Sequence, residues 1–217
     1  MRWGNGRALV AAVCGWCGVV SAVFAGGPAP TAVQGGFGTQ PASAEAIALG
    51  HWVRESRDAA GRPYAIVDKR QARLYVFDAE GRLVGATPAL LGSTPGDHTV
   101  PGVGLRAQTN QVGHDERTTP AGRFQATPGR NLKGEHVVWA DYASAFAIHR
   151  LRPGAAFEAR KTRLESETPD DNRVSYGCVV VSVAFYVSVV EPVLGHTHSV
   201  VYVLPETRPV QQLLREL

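Results

Sequence analysis

The chain has 217 residues, with 22 lysines and arginines against 19 acidic residues and a formal net charge of +3. Two of the arginines, Arg2 and Arg7, lie in a segment that we expect to be removed, which leaves a nearly neutral chain of about 190 residues. This charge balance argues against a nucleic-acid-binding protein and against a polybasic membrane-binding patch. The length predicts one domain with its own core.

Residues 1–25 have the pattern of an export signal. A positive start precedes an apolar run at 8–20 that is too short to span a bilayer, and small residues at 23–25 offer a cleavage site. The alternative is an uncleaved anchor or a lipid-modified Cys14. Residues 26–46, rich in Gly, Pro, Ala and Thr, predict a flexible linker. The protein is therefore predicted to be exported to the periplasm or the cell envelope.

From about residue 47 the chain takes on the alternating apolar pattern that is typical of β-strands. Strands are predicted at 64–68, 72–77, 82–86, 136–140, 145–149 and 200–204. A long Gly- and Pro-rich loop is predicted at 92–119, the run 179–190 is ambiguous between strand and helix, and the C-terminal tail 206–217 is predicted to contain a short helix. These elements predict a mainly β domain over residues 47–205, and its first three strands are predicted to form an antiparallel meander.

Cys178 is the most informative residue, because it is the only cysteine outside the predicted signal. An exported protein with one unpaired cysteine has either a reactive thiol or an intermolecular disulfide. A thiol nucleophile needs a base, and the candidate is His149, at the end of an apolar run. Gly177 permits a sharp turn that could aim the amides of Tyr176, Gly177 and Cys178 at an oxyanion. The alternative is that Cys178 is a small core residue and His149 a strand-end histidine.

Four segments, in order, resemble the L,D-transpeptidase catalytic domain, also called the YkuD domain. They are the hairpin at 66–76, the Thr-Pro-x-Gly-x-Phe pattern within 118–124, the pair Ile148-His149 followed later by Ser175-Tyr176-Gly177-Cys178, and the closing strand at 199–204. The resemblance covers residues 64–205. It implies a single β-sandwich-like domain with short helices that acts on peptidoglycan stem peptides.

The resemblance also implies a reaction and its residues. Cys178 would attack the bond between diaminopimelate and the terminal D-alanine of a tetrapeptide stem, with His149 as base. Loss of D-alanine would leave a thioester, which an amine on a second stem resolves as a 3→3 cross-link. Ser175, Tyr176 and Gly177 would support the site and its oxyanion hole. No metal and no organic cofactor are implied, and His196 with His198 is read as a polar turn rather than a metal site.

The chain departs from the usual motif at three places. Tyr176 stands where the family has histidine, and Val180 stands where it usually has arginine or asparagine. The third departure is a long insert, 151–173, between the two candidate catalytic residues. A helix predicted at 154–167 could lie over the cleft as a lid, or be an ordinary solvated helix.

Three arginines around this insert are candidates for gripping the carboxylates of the donor stem: Arg150, Arg152 and Arg173. Three functions stay open at this point. They are an L,D-transpeptidase, an L,D-carboxypeptidase that uses water as acceptor, and a non-catalytic envelope protein that binds stem peptides. The two altered motif positions motivate the third. The oligomeric state does not follow from the sequence.

Overall fold

The computed structural model describes Met1 and residues 36–217, and the latter form one compact unit. The rest of the predicted export signal and the first part of the predicted linker lie outside the described residues. Within the described part, no helix combines the length and the apolar character that crossing a membrane requires.

Within residues 36–217, ten strands and six α-helices build the domain. The strands are β1 (Tyr64–Asp68), β2 (Arg73–Phe77), β3 (Leu83–Pro88), β4 (Leu91–Gly92), β5 (Gly122–Arg130), β6 (His136–Asp141), β7 (Phe146–Arg150), β8 (Arg173–Ser175), β9 (Val179–Val181) and β10 (Ser199–Val203). The helices are α1 (Ala44–Ser56), α2 (Val103–Gln108), α3 (Phe157–Glu165), α4 (Val183–Phe185), α5 (Glu191–Leu194) and α6 (Val210–Glu216), and a π-helical segment (Tyr186–Val190) joins α4 to α5. Eight strands form one mixed sheet in the order β3-β2-β1-β10-β5-β6-β7-β9, and β4 pairs with β8. The prediction of a mainly β domain is confirmed.

The long strand β5 connects two halves of the sheet that share the main core. Its first residues pair with β10 and its last residues pair with β6. Apolar side chains from both halves form one buried cluster, including Val67 and Val201 from one half and Ile148 and Val179 from the other. Because alternate side chains of a strand point to opposite faces, each half contributes one apolar face to this core. The arrangement is sandwich-like, as the sequence predicted.

The predicted antiparallel meander of the first three strands is confirmed, because β2 pairs antiparallel with both β1 and β3. Two other pairs of neighbouring strands are parallel. β1 pairs in parallel with β10, and β7 pairs in parallel with β9. Parallel neighbours need a crossover connection of about a dozen residues or more, usually with a helix. The segment that links β7 to β9 contains α3 and β8, so the unusual insert supplies this crossover.

Helix α1 covers the opposite face of β1, β2 and β10, and Ser43 caps its first turn. Phe37, ahead of α1, is fully buried with its ring edge-on to the rings of Tyr75 and Phe77. The folded part therefore begins before residue 47, where the sequence placed the boundary. The apolar Phe37 is what orders this end of the predicted linker, because burying an aromatic ring is a large stabilising contribution.

Two other segments differ from the predictions. The loop 92–119 contains the short helix α2, and the segment after it forms β5, which the sequence did not predict as a strand. The ambiguous run 179–190 divides between the two alternatives. It begins as β9 and becomes helical after Ser182, whose hydroxyl accepts a hydrogen bond from the Phe185 amide at 3.2 Å. The predicted C-terminal helix is confirmed as α6.

Candidate active site

A tight turn between β8 and β9 carries the candidate nucleophile. Ser175 closes this turn, because its hydroxyl donates to the Cys178 carbonyl at 2.6 Å and accepts from the Gly177 amide at 3.1 Å. Gly177 has a φ of +132°, a conformation that residues with a Cβ rarely adopt. A Cβ at this position would also lie 2.8 Å from the Thr118 carbonyl oxygen. Both the backbone conformation and the space at residue 177 therefore require glycine.

The Cys178 thiol lies at the edge of the protein interior. The residue is partly exposed, and its Sγ lies 3.3 Å from the Ala145 carbonyl oxygen, in the turn between β6 and β7. The surrounding protein raises the pKa of Cys178 by burial, against smaller lowering contributions from the Ala147 backbone and the charge of Arg152. The resting thiol is therefore protonated near neutral pH. Nucleophilic chemistry at this position needs a proton acceptor.

His149 lies on β7, directly beside the strand that follows Cys178. In the parallel register His149 is opposite Val180, and Ile148 is opposite Val179. Ile148 and Val179 face the main core, so alternation places His149 and Cys178 together on the other face of the sheet. The structure thus brings both predicted catalytic residues to one face of two paired strands.

The hydrogen bonding of His149 determines its tautomer. Its Nδ1 lies 2.7 Å from the Arg150 carbonyl oxygen, and a carbonyl can only accept, so Nδ1 carries the proton. Burial and the charge of Arg152 lower the pKa of His149 from 6.5 to about 4. The imidazole is therefore neutral at pH 7, with the lone pair of Nε2 free to accept a proton.

Charged side chains surround His149 on one side. Glu135 forms an ion pair with Arg152, whose Nε lies 2.9 Å from the carboxylate, and it lies 3.9 Å from the guanidinium of Arg150. The charge of Arg152 lowers the pKa of both His149 and Cys178. Of the three predicted substrate-binding arginines, Arg150 and Arg152 therefore lie beside the site.

The third arginine has a different place. The Arg173 guanidinium forms an ion pair with Glu206 and donates to the Lys69 carbonyl at 2.9 Å. These groups belong to a buried network next to the C-terminal segment. Arg173 is thus held by the protein itself, although the sequence predicted it as a ligand for the substrate.

Helix α3 lies on the same sheet face as His149 and Cys178. Its Leu164 is buried in a small apolar cluster with Leu90, Leu151 and Val180, and Cys178 packs against the edge of this cluster. Val180 is 6% exposed. The apolar side chain at this motif position therefore has a partner in the unusual insert, because α3 covers it.

Tyr176 points outward from the turn and is 37% exposed. The Arg117 guanidinium lies over its ring, 4.4 Å from the centroid, which is the geometry of a cation–π contact. The residue that replaces the usual histidine therefore holds a cation at the mouth of the site. Sequence reasoning did not single out Arg117, because nothing in its local sequence places it near residue 176.

No protein-family model matches the chain, and no curated protein sequence matches it. Solved structures do match. An L,D-transpeptidase in complex with imipenem is 16% identical, with a TM-score of 0.40 over 65% of this chain and 58% of that one. An L,D-transpeptidase from Mycobacterium smegmatis is 15% identical, with a TM-score of 0.40 over the same shares of the two chains. The helical cell-shape-determining protein of Campylobacter jejuni is 13% identical, with a TM-score of 0.45 over 75% of this chain and 58% of that one.

This chain therefore spans a little over half the length of these solved structures. The first two are members of the family that the sequence motifs resemble.

Proposed function

We propose that this protein is a peptidoglycan L,D-transpeptidase with Cys178 as nucleophile and His149 as general base. The observation that carries the proposal is that both residues lie on one face of the paired strands β7 and β9, with the His149 tautomer that leaves Nε2 as acceptor. The substrate that we propose, a tetrapeptide stem, follows from the resemblance of the motifs to those of the L,D-transpeptidase family. The protein would act in the cell envelope, after removal of residues 1–25.

The reaction begins from a neutral thiol and a neutral imidazole. As Sγ attacks the diaminopimelate carbonyl carbon, the thiol proton passes to His149 Nε2 and the carbonyl oxygen becomes an oxyanion. Collapse of the tetrahedral intermediate breaks the amide bond, and the imidazolium returns the proton to the departing D-alanine amine. The thioester carbonyl is then attacked by an amine of a second stem, which gives up a proton to His149. Collapse of the intermediate breaks the C–S bond and forms the cross-link, and the imidazolium returns the proton to the departing thiolate.

The turn supplies two candidate donors for the oxyanion. The Gly177 amide already donates to Ser175 Oγ. The amides of Tyr176 and Cys178 are therefore the donors that we assign to the oxyanion, a narrower set than the three that the sequence suggested. Donors held by a closed turn need no reorganisation as negative charge develops.

We further propose that Arg152 binds a carboxylate of the donor stem. Its guanidinium lies on the insert beside both reacting groups, and its ion-pair partner among the described residues, Glu135, is engaged through Nε. The terminal nitrogens of a guanidinium can donate a pair of hydrogen bonds to a carboxylate. The side chain is 36% exposed, so a substrate can reach it.

Arg152→Gln is expected to raise KM for a tetrapeptide by about 3- to 10-fold, since a partly exposed charge-assisted hydrogen bond is lost. The pKa of His149 and that of Cys178 should both rise, which moves the pH profile upward. Steady-state kinetics with Lys161→Gln as control tests this, because Lys161 lies on helix α3 of the same insert and its side chain is 51% exposed. An unchanged KM in Arg152→Gln would remove Arg152 from the binding site.

The proposed function is tested by product analysis. Purified protein is incubated with tetrapeptide muropeptides, beside Cys178→Ala, and the products are identified by mass spectrometry. We expect loss of D-alanine and 3→3 dimers, both absent with Cys178→Ala. Tripeptide monomers without dimers would identify a carboxypeptidase. Binding of the muropeptides without any product would identify a stem-peptide-binding protein and refute the catalytic proposal.

A further inference from the structure

The segment of residues 117–119 lies directly against the turn that carries Cys178. Thr119 is fully buried, and its hydroxyl donates to the Gly177 carbonyl at 2.8 Å while accepting from the Gly92 amide at 2.9 Å. The Thr118 carbonyl oxygen fills the space beside Gly177 where a Cβ would stand. With Arg117 stacked on Tyr176, all three residues of this segment contact the turn.

The same segment is held from behind by a buried lysine. The ammonium of Lys69 is fully buried and donates to three oxygens: the Gly96 carbonyl at 2.5 Å, Asp97 Oδ1 at 2.8 Å and the Thr119 carbonyl at 3.0 Å. A lysine is almost never buried unless it is paired and its donors are satisfied. Lys69 meets both conditions, and one of its three partners is the backbone of Thr119.

The charges around Lys69 form a closed set. Asp97 also accepts from the Glu206 and Thr207 amides at 2.8 and 3.0 Å, and Glu206 is paired with Arg173. Although burial opposes it, the hydrogen bond from Lys69 lowers the pKa of Asp97, which stays anionic. Two cations and two anions thus balance each other, with Lys69 and Asp97 out of reach of solvent and the Arg173 side chain 17% exposed. Such a network fixes its members to one geometry, because a partly satisfied arrangement would leave a buried charge unpaired.

A chain of contacts therefore runs from the buried network to the reacting atom. Lys69 fixes the carbonyl of Thr119, the Thr119 hydroxyl fixes the carbonyl of Gly177, and Gly177 is bonded directly to Cys178. Ser175 closes the turn from its other side. Without the Thr119 hydroxyl, the turn would keep its internal hydrogen bonds and lose its buried anchor.

We propose that Thr119 is a positioning residue for Cys178, and that the buried Lys69–Asp97–Glu206–Arg173 network exists at this place to hold Thr119. The proposal rests on the proposed function, since positioning matters for a thiol that reacts. It assigns a role to the second threonine of the Thr118-Thr119-Pro120 segment. It also gives Arg173 a task within the active-site support instead of direct contact with substrate.

The test compares Thr119→Val, which removes the hydroxyl at nearly constant volume, with Thr119→Ser, which retains it. Thr118→Val is the matched control, because the Thr118 hydroxyl contacts the Thr94 carbonyl and not the turn. Alkylation of Cys178 by iodoacetamide is measured at pH 6.5 and at pH 10, and the alkylation ratio is the rate at pH 6.5 divided by the rate at pH 10. Because accessibility affects both rates equally, the ratio reports how much a base assists the thiol. Kinetics on a tetrapeptide stem and thermal unfolding are measured in parallel.

We expect Thr119→Val to lower the alkylation ratio at least about threefold and kcat at least about tenfold, with KM nearly unchanged, because small misplacements of a reacting atom are costly. Thr119→Ser and Thr118→Val should stay within about twofold of wild type.

The outcomes separate the two proposals. The positioning role alone would be overturned if the wild-type ratio exceeded that of free cysteine and Thr119→Val left this ratio unchanged. Equal losses in Thr119→Val and Thr119→Ser, in step with their loss of thermal stability, would also overturn it, since that pattern reports folding. A wild-type ratio equal to that of free cysteine would refute His149 as base, and the positioning role with it.

Discussion

Replacement of His149 by glutamine is expected to lower kcat/KM for D-alanine release by about 10²- to 10⁴-fold. Glutamine is similar in size, and its amide nitrogen can still donate to the Arg150 carbonyl, which His149 Nδ1 contacts at 2.7 Å. It cannot accept the thiol proton. Because burial raises the pKa of Cys178, little thiolate is present at neutral pH without a base. Steady-state kinetics on a tetrapeptide stem measures this loss.

The pH profile gives this prediction a direction. The pKa of His149 is lowered from 6.5 to about 4, so the base form persists well below neutral pH. The acidic limb of kcat/KM for the wild type should therefore lie near pH 4 instead of near pH 6.5, and His149→Gln should lack it. His51→Gln is the matched control, since His51 is exposed on α1. A His149→Gln variant with wild-type activity would exclude His149 as the base.

The same lowered pKa affects stability. The unfolded chain binds a proton on this histidine below about pH 6.5, whereas the folded protein resists protonation down to about pH 4. The contribution of His149 to the free energy of unfolding is therefore complete above pH 6.5 and decreases as the pH falls toward 4.

Local sequence patterns were sufficient for most strands and for naming the two candidate catalytic residues. Runs rich in apolar, β-branched and aromatic residues identified β1, β2, β6 and β7, and β1, β2 and β7 are in fact buried on both faces. Cys178 and His149 stood out by their chemistry, and the structure places them on one face, His149 on β7 and Cys178 in the turn that precedes β9. The parallel pairing of β7 with β9 could not be read in this way, because it depends on the path of the connection.

The residues that support the site could not be predicted from the sequence, because their contacts also depend on the path of the chain. Thr119 and Lys69 contact the turn or each other across long separations, and no local pattern marks a threonine whose hydroxyl meets a distant carbonyl. Arg173 carried the right charge for a substrate ligand, but its partner Glu206 lies in the predicted tail. Val180 was notable as an altered motif position, and only the packing of α3 explains why an apolar residue fits there.

Gly177→Ala is expected to lower the free energy of unfolding by about 1–3 kcal/mol and to lower kcat markedly. The added Cβ meets two obstacles, since the φ of +132° is strained for alanine and the Thr118 carbonyl oxygen lies 2.8 Å away. Relief of the clash requires residue 177 to move, and its amide and carbonyl both bond to anchors of the turn, Ser175 and Thr119. The Cys178 thiol and the oxyanion donors would move with it. Chemical denaturation and steady-state kinetics measure the two effects.

Gly61→Ala is the control that distinguishes the effect of backbone strain from the effect of disturbing the turn that carries Cys178. Gly61 also has a positive φ, of +70°, but no atom lies within 4 Å of an added Cβ, and it lies in the connection between α1 and β1. The Gly61→Ala substitution should lower the free energy of unfolding by about 1 kcal/mol, because alanine is strained in the left-handed conformation, and it should leave kcat unchanged. If Gly177→Ala were as active as Gly61→Ala, the turn would tolerate displacement, and its amides could not be the oxyanion donors. A selective loss of kcat in Gly177→Ala would instead place the chemistry at this turn, because both variants carry a strained alanine and only one of them disturbs the contacts of Ser175 and Thr119.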